Sequence, residues 1–117
     1  DQISTVELYP KYLSPMDEGL LLYDVRSYSF FNYHPETGAS SPLFQVSGVN
    51  IGGIEFFQEG VLFTDMNTNS VYHYSLEGDM LNVFLSPANS TSGITIDGTG
   101  YIYLFTLDGQ LYKVSLP

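Results

Sequence analysis

The chain reads as short apolar runs separated by polar turns. Leu20-Leu21-Leu22-Tyr23-Asp24 follows Gly19, Val61-Leu62-Phe63-Thr64-Asp65 follows Gly60, and Tyr101-Ile102-Tyr103-Leu104-Phe105 follows Gly100. Each run is apolar at successive positions and bounded by turn residues, as a strand buried on both faces must be. A second apolar stretch follows each run after a short turn: Ser29–Tyr33, Ser70–Leu76 and Gln110–Leu116. Asp108-Gly109 is a two-residue hairpin signal, because both residues tolerate φ > 0. Asn67-Thr68-Asn69 fills the same place in the middle stretch.

The three glycines lie 41 and 40 residues apart, and the segments after them align without gaps. Short strands repeating at a period near 40 are the signature of β-propeller blades. Each repeat divides into four strands, A (innermost) to D (outermost). Strand A is Ile54–Phe57 in the middle repeat, Ile94–Asp97 in the last, and a degenerate Tyr12–Met16 in the first. Strands B and C are the two apolar stretches. Strand D is Leu43–Val46 in the first repeat and Leu81–Leu85 in the middle one. The last repeat stops at Pro117 with no strand D. At the other end, Ile3–Pro10 resembles Met80–Pro87 in length, alternation and closing proline. The expected organisation is one half-propeller domain, 1–117. It has a closing strand at 1–10, blade 1 at 11–48, blade 2 at 49–88, and blade 3 at 89–117 without its outer strand.

An orphan D strand needs a blade that lacks one, and an exposed sheet edge invites pairing. Two copies would make six blades, inside the usual range of four to eight. The expected assembly is therefore a homodimer with two-fold symmetry. Ile3, Val6 and Leu8 of each copy would pair with Leu111 and Val114 of the other. Two other readings stay open: a fragment of a longer propeller, and an open strand-exchanged fibre.

Composition agrees with an all-β chain. Ten Tyr and eight Phe suit pleated, half-buried surfaces. Thirteen acids against three basic residues give a formal charge of −10, which argues against nucleic acid and anionic membrane surfaces. No apolar run is long enough to span a bilayer as a helix. There is no cysteine, hence no disulfide or thiolate chemistry. The chain opens at Asp1 with no initiator methionine, as an exported, processed chain would and as a trimmed one would. The expected location is extracellular or periplasmic.

The stretch Ser92-Gly93-Ile94-Thr95-Ile96-Asp97-Gly98-Thr99-Gly100-Tyr101-Ile102-Tyr103 resembles the blade motif of the NHL and TolB-like six-bladed propellers. Gly53-Ile54 opens the middle repeat in the same way, and the pattern is departed from at Phe105, where the other repeats carry Asp24 and Asp65. The resemblance implies a fold whose members include lactonase-like metalloenzymes, receptor propellers and interaction modules. The lactonase-like members hold a divalent metal in the central channel. Glu55 on strand A is the candidate ligand here for a cation such as Ca²⁺, with Asn50 nearby. A hard cation needs several convergent oxygens, and a solvated channel residue is the simpler role.

Asp24 and Asp65 end two B strands, where a carboxylate caps the following turn. His34 and His73 have no acid or histidine at ligand spacing and read as partly exposed strand residues. Asp17, Glu18, Glu36, Glu59, Glu77, Asp79 and Asp97 fall on the A–B and C–D turns, so one rim of the disc is strongly acidic. That rim reads as a solvating surface before a docking face for a basic partner. The opposite rim presents Tyr12, Tyr28, Asn67, Asn69 and Asn89, residue types suited to protein or glycan recognition. Asn89-Ser90-Thr91 is also an N-glycosylation sequon. The expected function is a non-catalytic binding or assembly module with no cofactor. A lactonase-like hydrolase and a structural fibre subunit are the alternatives.

Overall fold

The computed structural model describes residues 10–87 and 89–115. The described residues form eleven strands and no helix. In the first sheet β1 (Pro10–Pro15), β2 (Leu20–Asp24), β3 (Ser29–His34) and β4 (Ala39–Gln45) pair in chain order. The second sheet repeats this with β5 (Ile51–Phe57), β6 (Gly60–Asp65), β7 (Ser70–Ser75) and β8 (Met80–Leu85). The third has only β9 (Thr91–Ile96), β10 (Ile102–Thr106) and β11 (Leu111–Val114), so β11 is a sheet edge among the described residues. Every pairing is antiparallel. Below, the three sheets are blades 1, 2 and 3. The closing strand expected at Ile3, Val6 and Leu8 lies outside the described residues.

The innermost strands β1, β5 and β9 pack side by side, which orders the blades around a common axis. Two apolar layers hold them together. Leu21, Tyr23 and Phe30 of blade 1 meet Ile54, Val61 and Phe63 of blade 2. Leu62 and Val71 of blade 2 meet Ile94, Ile102 and Leu104 of blade 3. Successive strand residues point to opposite faces, so the middle B strand, β6, feeds both layers: Val61 and Phe63 look back, Leu62 and Thr64 look forward. This is why β6 is buried along its whole length. Hydrogen bonds add direction. The Ser14 hydroxyl of β1 accepts from the Phe56 amide of β5 at 3.0 Å, and the Thr64 hydroxyl of β6 donates to the Thr91 carbonyl of β9 at 3.1 Å.

The gap-free alignment fails in blade 3. Ile51 pairs with Asp65 in blade 2, and Thr91 pairs with Thr106 in blade 3. The counterpart of Asp65 is therefore Thr106 and not Phe105. The A–B turn of blade 3 is one residue longer, and its B–C turn one residue shorter, so the shift is confined to β10. A one-residue shift exchanges the two faces of a strand. Ile102 and Leu104 take the backward-looking positions of Val61 and Phe63, while Tyr103 and Phe105 look forward.

The outer strand of blade 1 also starts earlier than expected, at Ala39 instead of Leu43. Ser40, Ser41 and Pro42 are poor strand formers, but an outermost edge strand tolerates proline because one side makes no ladder bonds. A bulge between Phe30 and Phe31 absorbs it.

Candidate functional site

The B–C turns and D–A loops share one rim, and their construction explains Asp24 and Asp65. The buried Asp65 carboxylate accepts from the amides of Asn50 (2.9 Å) and Asn67 (3.0 Å) and from the Thr68 hydroxyl (2.9 Å). It thus ties the B–C turn to the loop that enters its own blade. Asp24 accepts from the Ser27 amide and hydroxyl. Both are turn caps, as expected. In blade 3 the Thr106 hydroxyl takes this place, donating to the Asp108 carboxylate and accepting from the Gln110 amide.

The structure divides the five expected recognition residues between two corners of this rim. Tyr12 and Tyr28 come together at the junction of blades 1 and 2. With Tyr23, Val25, Val49, Asn50 and Ile51 they line a cleft of about 110 Å³. The Tyr12 hydroxyl donates to the Ile51 carbonyl (2.5 Å) and that of Tyr23 to the Val46 carbonyl (3.2 Å). Burial, with Tyr28 and Asp24 nearby, pushes the Tyr23 phenol up from its ordinary pKa. Tyr28 is 49% exposed and sits at φ 56, where blade 2 places Asn69 at φ 54. Asparagine enters this left-handed region readily, and a bulky aromatic does so at a cost of about 1–3 kcal/mol.

Asn69 and Asn89 lie at the other corner, between blades 2 and 3. The Asn69 side chain accepts from the Ser90 amide at 3.2 Å, so it braces the junction. Asn67 and Asn89 are exposed. The Thr91 hydroxyl of the sequon is buried and shares a 2.6 Å hydrogen bond with Ser86. Sequence reasoning placed Asn50 near a metal and overlooked Val25 and Val49. Their position on the turn and loop flanking the first junction was the available signal.

Glu55 lies on β5 opposite Leu62 and is half-buried. Among the described residues no three His, Asp or Glu side chains converge as metal ligands. Desolvation pushes the Glu55 carboxyl above its ordinary pKa. A raised folded-state pKa favours the protonated form, so this group's stabilisation is present at acid pH and lost as pH rises through the folded pKa. Glu55→Gln is therefore expected to raise the urea midpoint at about pH 7 and to leave it unchanged at about pH 3. Equal midpoints at both pH values would show that the side chain is solvated.

His73 differs from its expected exposure. It is buried on β7, against the Phe57 ring (5.7 Å between centroids), with Nε2 3.3 Å from the Phe57 carbonyl oxygen. His34 ends β3 and lines a larger cleft of about 650 Å³ on the acidic rim, with Asp17, Glu18, Gly19, Leu20 and Glu36. On the same rim the Asp97 carboxylate accepts from Thr99, Tyr101 and Tyr103. The Thr99 and Tyr103 hydroxyls and the turn amides hold its pKa well below the usual carboxylate range. It caps the longer A–B turn of blade 3.

No family model and no curated protein matches the sequence. Solved structures do match. Streptogramin B lyase superposes with a TM-score of 0.62 at 17% identity, over 97% of this chain and 43% of the lyase chain. BamB from Moraxella catarrhalis gives 0.65 at 9%, over 89% of this chain and 30% of its own. A chain of the nidogen/laminin complex gives 0.70 at 14%, over 89% and 43%. These neighbours are β-propellers, and the chain has the propeller fold. At these identities the likeness extends to fold alone, and the chain spans less than half the length of each.

Proposed function

We propose that the protein is a non-catalytic recognition module of the NHL/TolB-like kind, binding a protein or glycan through the rim that carries Tyr12, Tyr28 and Asn50. The observation that carries this reading is the cleft between blades 1 and 2. Its position, on loops fixed by a rigid sheet scaffold, is where propeller-like folds present binding groups. At about 110 Å³ it is smaller than the roughly 300–1,000 Å³ of sites that engulf a free small molecule. It suits one ring or side chain projecting from a larger ligand. The Tyr12 and Tyr23 hydroxyls are turned to backbone carbonyls, which leaves aromatic faces and the Asn50 side chain as contact groups. Propeller neighbours include a lyase and a chain solved in complex with laminin, so the fold does not choose between chemistry and binding.

The test is a panel of defined oligosaccharides and peptides, read in parallel with wild type, Tyr28→Ala and Asn50→Ala. The expected result is a set of ligands whose affinity falls about tenfold with Tyr28→Ala, the worth of one good aromatic contact. Ligands indifferent to both substitutions, or none at all, would overturn the reading.

A further inference from the structure

We infer that the forward face of blade 3 docks on the backward face of blade 1 of a second copy, closing two chains into one ring. The two junctions inside the chain serve as the template. By strand register, Leu21, Tyr23 and Phe30 of blade 1 correspond to Leu62, Thr64 and Val71 of blade 2, and to Tyr103, Phe105 and Leu111 of blade 3. The first two sets are buried, each against the following blade. In blade 3 two of these positions are open, with Phe105 49% and Leu111 65% exposed, and Tyr103 is half-buried. The complementary face repeats as well. Ile54, Val61 and Phe63 correspond to Ile94, Ile102 and Leu104, and both sets are buried. Blade 1 carries Leu13, Leu20 and Leu22 there, with Leu13 62% exposed, Leu20 half-buried and Leu22 buried.

A second, independent feature points to the same occupant. The 650 Å³ cleft on the acidic rim includes Gly19 and His34, the counterparts of Tyr101 and Ser115. Tyr101 and Ser115 line a cleft of about 360 Å³, one side of which is formed by Phe57 and Gln58 from the A–B turn of the preceding blade. Among the described residues no such turn stands beside blade 1, and its opening is the larger of the two. In the closed pair, the Asp97 turn of the second copy fills it. That placement sets Asp97 near Asp17, Glu18 and Glu36, so like charge opposes closure and added salt relieves it.

The forward-to-backward contact is used twice and closes after two copies. The experiment is light scattering on the 117-residue chain of 13.0 kDa. The expected mass is twice the chain mass, with a tighter dimer at higher salt. The double variant Phe105→Asp/Leu111→Asp, and separately Leu13→Asp, should each be monomeric with unchanged far-ultraviolet circular dichroism. Mixed together, these two variants retain one intact contact and should re-form a weaker dimer. Leu85→Asp, on the outer strand β8, should leave the mass unchanged. A wild-type monomer at every concentration would overturn the inference. So would a dimer indifferent to the Phe105 and Leu13 variants, or masses that grow without limit. None of these outcomes bears on the Tyr28 cleft, which lies within one chain.

Discussion

Truncating Phe63 to alanine will cost about 3–5 kcal/mol of folding stability, the range for deleting a fully enclosed phenylalanine. Phe63 has no exposed surface, and its ring lies 5.5 Å from Phe30 and 5.3 Å from each of Tyr72 and Tyr74 between centroids. Phe30 in turn touches Tyr23 and Phe44. The ring is thus the meeting point of blades 1 and 2. Neighbouring strands within a blade are fixed by ladders and cannot collapse inward to refill the space, so the transfer loss is joined by a cavity loss. Urea unfolding followed by circular dichroism reads the effect directly, against Leu85→Ala as an exposed control on β8. A loss below about 1 kcal/mol would mean that the first junction contributes little to the fold.

The B strands show which parts of this fold a sequence discloses. Period, strand type and the two-sided burial of Leu20–Asp24 and Val61–Asp65 follow from apolar runs set between turn residues. Blade 3 obeys the same rule, yet its register escapes the pattern. Tyr101, Tyr103 and Phe105 are as apolar in character as Ile102 and Leu104, so either set can face blade 2. The choice is made by the A–B turn. Asp97 gathers the amides of Thr99 and Tyr101 and the Tyr103 hydroxyl, and this longer cap moves the strand on by one residue. Lys113 then covers the displaced Tyr101 ring, 4.1 Å from its centroid. The compensating loss in the next turn restores the period, which is why the repeat of 40 conceals the slip.

The candidate site was legible only by rim. Tyr12 and Tyr28 could be assigned to the B–C side because strand order fixes which turns share an end. Their meeting in one cleft depends on blade 2 lying against blade 1 at the Tyr12–Ile51 contact, a pairing of residues 39 apart that no local pattern encodes. Asn69, judged by the same composition rule, is instead occupied in bracing Ser90. The sequence reads His73 as a partly exposed strand residue, because no acid or histidine lies at ligand spacing from it. The forward face of blade 2 is covered by blade 3, so the polar side chain is buried there and meets the Phe57 carbonyl.

Gly52→Ala is expected to cost about 3 kcal/mol, the upper part of the range for overpacking a closed interior. At this position β5 runs close against β9. A methyl group on Gly52 would meet the Thr91 carbonyl oxygen, with the Thr64 hydroxyl 2.7 Å away and Met66 Cγ at 3.1 Å. The Thr91 oxygen is backbone and cannot swing aside, and it already accepts the Thr64 hydroxyl. Relief therefore requires β9 to move away from β5, which breaks that bond and opens the layer of Leu62, Ile94 and Ile102. Gly53 allows no compensating slide, since its own Cβ would stand 3.0 Å from Gly93 Cα and the Ile94 nitrogen. Among the described residues of one chain, blade 3 has three strands and packs on blade 2 alone, so it should detach before blades 1 and 2 unfold. The variant should then show a lower denaturation slope as well as a lower midpoint, the mark of lost two-state behaviour. Gly98→Ala is the matched control, with open space around its Cβ and an expected change within about 0.5 kcal/mol. If both glycine variants unfold alike, the close passage of β5 and β9 does not hold the second junction, and the Leu62 layer alone must do so.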